Sequence, residues 1–193
     1  MEDNKGSINS LTWQMAATAI LLAICVASQC FKNVSVYITG PLVNLCIIVA
    51  AMTVGLWWGL VLAALTPVTA FLIAPSPVMQ AVPMVIPMIM LGNAILLFTT
   101  YRFFRPAFCE AGEHVNVKSA VTAVLCCIAK AAFMGLTISL WLLPSFIPEA
   151  SPLREKMPVF QTMFSATQLI TAIIGFVYFF IIWKPVKKAV EKR

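Results

Sequence analysis

Between Lys32 and Arg102 the chain runs for 69 residues without an acidic, basic or histidine side chain. A helix that faces water needs a polar stripe, and a run this long has none to offer, so its environment is lipid. A bilayer's hydrocarbon core is roughly 30 Å thick and takes about 20 residues per helical crossing, so the run holds about three spans. Turn chemistry divides them. Gly40-Pro41 opens the first, Gly55-Leu-Trp-Trp-Gly59 marks a reversal into the second, and Ala74-Pro-Ser-Pro77 closes that one. One charge-free interval precedes the run and two follow it. The pattern predicts an all-α, polytopic integral membrane bundle of six transmembrane helices. Their approximate bounds are 11–28, 41–55, 59–73, 81–100, 119–143 and 159–183, in a single membrane domain covering 1–193. A composition 61% hydrophobic and only 10% charged excludes a soluble domain of this size.

Orientation follows from where the basic residues fall. With both termini cytoplasmic, the inner segments hold Lys5, Arg102, Arg105, Lys118, Lys184, Lys187, Lys188, Lys192 and Arg193, while the outer loops hold only Lys32, Arg154 and Lys156. Nine against three is a positive-inside pattern. The +6 net charge therefore reflects topology and not a nucleic-acid surface. The acidic start (Glu2, Asp3) is unlike a cleaved signal, so the first span is expected to stay. Cys25, Cys30, Cys46, Cys109, Cys126 and Cys127 lack paired metal spacing and read as small apolar packing residues. Asn33-Val-Ser35 is a glycosylation sequon too close to the membrane to carry weight.

Lys130 is the exception to the pattern. It stands near the middle of the span from Ser119 to Leu143, about a dozen residues from either end, which makes snorkelling difficult. A lysine at that depth costs about 2.5–3.5 kcal/mol unless it faces protein, water or an anion. No span contains an Asp or Glu to pair with it. A polar cavity is expected around it, with the balancing charge supplied by a ligand. On the sixth span Gln161, Ser165, Gln168, Thr171 and Gly175 share one helical face. For Gln168 interhelical bonding and ligand contact are both open, whereas Ser165 and Thr171 fit interhelical bonding. On the fifth span Ala123, Cys126, Lys130, Phe133, Thr137 and Trp141 share a face, Thr137 adding a hydroxyl and the two aromatics either stacking on a ring or packing. On the fourth, Pro83 and Pro87 are expected to bend the helix, with Asn93 below them. One cation, two amides and aromatic walls suit a small anionic heterocycle.

On the first span Ala19, Ala23 and Ala27 form a flat seam that permits close approach of another helix, inside or outside the bundle. Several absences narrow the function. There is no phosphate-binding P-loop, no H-E-x-x-H metal motif and no nucleophile elbow. The lone His114 sits in a polar loop. No enzyme activity, metal or cofactor is expected. The lack of a carboxylate within the spans also argues against a self-powered secondary transporter.

Thr39-Gly-Pro-Leu-Val-Asn44, Gly55-Leu-Trp-Trp-Gly-Leu60, Leu65-Thr-Pro67, Leu91-Gly-Asn93, Lys130 within its span and Phe164-Ser-Ala-Thr-Gln-Leu-Ile-Thr171, in this order, resemble a substrate-binding S component of an energy-coupling factor (ECF) transporter. The likeness runs from about residue 12 to 182. It implies capture of a water-soluble vitamin or related micronutrient from outside a bacterial plasma membrane. It also implies association, through an alanine-rich first helix, with a transmembrane coupling subunit that docks two cytoplasmic ATPases. Ala19, Ala23 and Ala27 would then be the coupling face. Lys130, Gln168, Gln161 and Asn93 would be the substrate contacts, with Asn44, Thr137 and Trp141 as further candidates. Ala166-Thr167 stands where relatives carry Trp-Pro, a departure that bears on which solute is bound. The lid is expected in segments 34–40 and 74–82. Two other classes remain as alternatives: an autonomous permease or channel, and a membrane assembly factor in which a headgroup or partner carboxylate buries Lys130.

Overall fold

The computed structural model describes the backbone of residues 2–31 and 35–191 and the side chains of 11–31 and 35–190. Asn33 of the sequon, Val34 at the head of the first lid segment, and the side chains of Glu2, Asp3, Lys5, Lys32, Lys192 and Arg193 lie outside the described residues. Among the described residues every regular element is helical. Six helical stretches are long and apolar enough to cross a membrane. They belong to α1 (Glu2–Gln29), α2 (Val36–Thr53), α3 (Leu56–Ile73), α5 (Val85–Glu110), α6 (Val117–Phe146) and the pair α8 (Met157–Phe164) and α9 (Ala166–Glu191). Two short helices, α4 (Pro77–Ala81) and α7 (Pro152–Glu155), lie in the connections. The expected all-α, six-span fold is what the chain adopts.

The observed bounds depart from the expected ones where glycine and proline fall inside helices and not at turns. Helix α2 starts at Val36, capped by the Ser35 hydroxyl, which accepts from the Tyr37 N–H. Gly40 and Pro41 therefore lie inside the helix instead of opening it. The α2–α3 reversal takes only Val54 and Gly55, and Gly55 adopts φ 101°, a conformation that glycine reaches without strain. Gly59 lies within α3. The expected bend at Pro83 and Pro87 is absent. Pro83 precedes α5 and Pro87 occupies its first turn, where a backbone N–H has no helical partner to lose.

A helix break and a π segment change how the last two spans face inward. From Gly135 to Leu142 α6 is a π-helix, and a π turn takes about one residue more than an α turn. The inward face consequently passes through Met134, Ile138 and Leu142, all buried, and Trp141 ends up 60% exposed. The last span breaks at Ser165 (φ −120°, ψ −89°), which separates α8 from α9. Ser139 and Gln161 tie the two distorted segments together. The Ser139 hydroxyl donates to the Gln161 carbonyl at 2.9 Å, and the Gln161 amide donates to the Ser139 carbonyl at 3.0 Å.

The interior has two main apolar clusters. One, toward the chain termini, gathers Leu96, Leu97, Phe104, Phe108, Phe176, Phe179 and Trp183. Phe104 meets Phe176 edge to face at 4.9 Å between centroids, a favoured aromatic geometry. The other, at the opposite end, gathers Val78, Val82, Val85, Met134, Ile138, Leu142 and Phe164. The candidate site around Lys130 lies between them.

At the termini-bearing end, α5 closes with a Schellman turn: the Gly112 N–H bonds the Cys109 carbonyl and the Glu113 N–H bonds the Phe108 carbonyl. This turn holds Glu113 at φ 61° with its carboxylate against α9, where it accepts from Trp183 Nε1 at 2.9 Å and pairs with Lys187 at 2.7 Å. Partial burial alone would raise the Glu113 carboxyl. The bonds from Lys187 and Trp183 and the Lys187 charge outweigh it and hold the group below its ordinary value of 4.5. A carboxyl depressed in the folded state stabilises the fold above its unfolded pKa, and that contribution is lost as pH falls through the folded value. The protection of amides 183–191, taken relative to intrinsic exchange at each pH, is therefore expected to stay flat from pH 7.5 to 5.5 and to fall below pH 4.5. Glu113→Gln should show the lower protection already at pH 7.

Candidate functional site

The chemistry begins with a proline. Pro67 lies inside α3, and having no N–H it leaves the Ala63 carbonyl, four residues back, without its helical donor. That carbonyl instead accepts from Asn93 Nδ2 at 3.4 Å and from the Thr66 hydroxyl at 3.3 Å. Asn93 Nδ2 also reaches the Thr66 hydroxyl oxygen at 3.3 Å. With its nitrogen held on α3, the Asn93 amide turns its oxygen the other way, toward α6.

Lys130 receives that oxygen. It is 2% exposed, and its ammonium donates to Asn93 Oδ1 at 2.8 Å and to Asn44 Oδ1 at 2.6 Å. Asn44 is oriented in turn by its nitrogen, which donates to the Thr171 hydroxyl oxygen at 3.4 Å. The Thr171 hydroxyl donates onward to the Gln168 carbonyl at 3.2 Å. At the other end, Gln29 of α1 donates from Nε2 to the Thr66 carbonyl at 2.9 Å. The result is a continuous polar network, Gln29–Thr66–Asn93–Lys130–Asn44–Thr171, with one residue from each of the six spans.

The network is neutral except for Lys130. Both oxygens on the ammonium belong to amides, and neither described ion pair, Lys118–Glu110 or Lys187–Glu113, involves it. Amide oxygens satisfy two of its three donors but carry no compensating charge. Next to it is a cavity of about 150 Å³, a volume that admits a single small ring. Gln29, Thr39, Asn44, Thr66, Ser76, Asn93, Lys130 and Gln168 are its polar lining, and Val43, Pro67, Ile89 and Phe164 are among its apolar walls. Val36, Thr39 and Gly40 from one of the segments expected to form a lid, and Ser76 and Met79 from the other, contribute to the lining.

Four of the candidate contacts, Lys130, Asn44, Asn93 and Gln168, thus meet at one cavity. Three do not. Gln161 is used between α8 and α6 and faces a different groove. Thr137 donates back to the Phe133 carbonyl at 2.7 Å, and Trp141 is turned outward by the π segment. Two cavity residues, Gln29 and Thr66, were not singled out from the sequence. The signal for Thr66 was present in Pro67, because a proline in mid-span needs a neighbouring donor for the carbonyl it releases. Ala19, Ala23 and Ala27 all lie on the exposed face of α1, opposite Cys25, Ser28 and Gln29, which are buried against the bundle. Phe133 is half-buried against the apolar cluster far from the termini.

Residues 13–187 match the family model described as ECF transporter, substrate-specific component. No curated protein and no solved structure matches the chain.

Proposed function

The chain belongs to the family of substrate-specific components of ECF transporters, and from that premise we propose that it captures a small, anionic, vitamin-like solute at the Lys130 cavity. The observation that carries this reading is a fully buried ammonium at a cavity wall whose described partners are both neutral amides. An anionic solute supplies the charge that the polypeptide lacks, and gains most where water is excluded. Solute enters from outside, with both chain termini cytoplasmic in a bacterial plasma membrane. The segments around 35–40 and 74–82 then close over it, since occlusion both orders these segments and strengthens the Lys130 interaction. The loaded bundle reorients against a transmembrane coupling subunit while two separate ATPases hydrolyse ATP. The chain itself performs no chemistry.

Native mass spectrometry of gently purified protein tests the capture step. A retained anionic molecule of single-ring size is the expected result, and a solute-free chain or one holding only lipid would count against it.

The exposed alanine seam is the proposed coupling face. Ala23→Leu puts a branched side chain on a flat surface, at about 1–3 kcal/mol of overpacking. Complex formation with the coupling subunit should weaken by about tenfold or more, with solute affinity within about twofold of the parent. A co-purification assay beside a binding titration separates the two effects. Equal loss of both would mean that the substitution disturbs the bundle and does not act on a coupling face.

A further inference from the structure

The polar network ends at Gln29, and that end is open. Gln29 is 1% exposed and lines the cavity. Its Nε2 donates to the Thr66 carbonyl, and a carbonyl can only accept, so this bond fixes which end of the amide is nitrogen. Oε1 is then a buried acceptor with no partner among the described residues. Buried amide oxygens rarely stay unmet, because the loss of water is not repaid. The other unmet oxygen, on Thr100, belongs to the π turn of α5 and does not line the cavity. Asn44 and Asn93, by contrast, commit their oxygens to Lys130.

The geometry points to Gln29 Oε1 as the acceptor for an N–H or O–H group on the captured solute. The solute class is therefore a single-ring anion that also carries a hydrogen-bond donor, its anionic group toward Lys130 and its donor toward Gln29. This rests on reading Lys130 as the counter-charge of the solute. A ring of the same size and charge without the donor would leave Oε1 unmet in a closed, dry cavity. Sites of that kind discriminate strongly against the analogue that lacks the donor.

The test uses the full chain in nanodiscs and two pairs of isosteric probes: 4-aminobenzoate with 4-methylbenzoate, and pyrrole-2-carboxylate with furan-2-carboxylate. Calorimetric titration reads the affinity ratio within each pair. In at least one pair the donor-bearing member should bind about tenfold tighter or more. Gln29→Met should bring the two members within about twofold of each other. Gln29→Glu keeps an acceptor in place and should keep the preference, even as its negative charge weakens both anions. Lys130→Met should remove both members of the pair. Equal binding of the isosteres to the parent chain, or a preference that survives Gln29→Met, overturns the assignment of Gln29 and leaves Lys130 as the anion site. Binding that is indifferent to Lys130→Met overturns the anion reading, and this inference with it. No binding of any probe at 10 millimolar excludes the single-ring class and overturns both.

Discussion

Lys130→Met is expected to weaken solute capture by about thirtyfold or more while leaving the bundle inserted and folded. Methionine matches the length and bulk of the lysine stem, so the packing between α2, α5 and α6 has little reason to change. Two terms of opposite sign set the stability. Removing the ammonium leaves the Asn44 and Asn93 oxygens without a donor, at about 1–3 kcal/mol each. It also removes a charge held at mid-span without a counter-ion, a relief of about 2.5–3.5 kcal/mol. The net change lies between about 1.5 kcal/mol of gain and about 3.5 kcal/mol of loss, a shift in melting that the folded chain should tolerate. Binding has no such compensation. Losing one partner of a buried charge pair costs about 2–5 kcal/mol, which weakens capture between about thirtyfold and a few thousandfold. Thermal melting of the solute-free protein and titration with the co-purified solute read the two effects separately. If Lys130 serves only to pin the six spans together, melting falls steeply and affinity falls no further than the loss of folded protein explains.

The membrane fold was legible because a bilayer permits few alternatives. Charge-free intervals of the right length can only be spans, and Lys130 stood out against them on composition alone. Asn44, Asn93 and Gln168 were legible for the same reason, since amides inside lipid have to face a partner. What failed was phase. Extending an α-helical period beyond Gly135 brings Thr137 and Trp141 onto the face of Lys130, and nothing in Gly-Leu-Thr-Ile-Ser-Leu-Trp-Leu announces that the helix widens there. Pro83 and Pro87 misled differently. Their spacing is that of a kink, yet with the helix starting at Val85 they sit where proline fits best. Gln29 was hidden by its position at the end of a span, where an exposed polar residue is ordinary. Only the α1–α3 contact that puts its nitrogen on the Thr66 carbonyl reveals it as part of the site.

Gly175→Ala should be the most damaging single-methyl change in the bundle. α9 and α2 approach so closely here that an added Cβ would lie 2.9 Å from Asn44 Cβ, 3.2 Å from the Leu45 nitrogen and 3.2 Å from the Pro41 carbonyl oxygen. Two of those three atoms are backbone and cannot rotate aside. The helices have to separate, at about 1–3 kcal/mol of overpacking, against which alanine's better helix propensity returns about 1 kcal/mol at most. The stability loss is only part of the effect. Asn44 is the residue pushed, and it carries the 2.6 Å bond to Lys130, so capture should fall further than the melting temperature alone implies. Gly59→Ala is the matched control. Its Cβ would meet Leu97 Cδ1 at 2.5 Å, but that is the far end of a flexible side chain that takes no part in the polar network. Rotation of Leu97 relieves the contact, so a modest drop in melting temperature with affinity intact is expected. Melting and binding curves on the two variants make the comparison. Equal behaviour of both would mean that the α2–α9 contact does not set the geometry of Asn44.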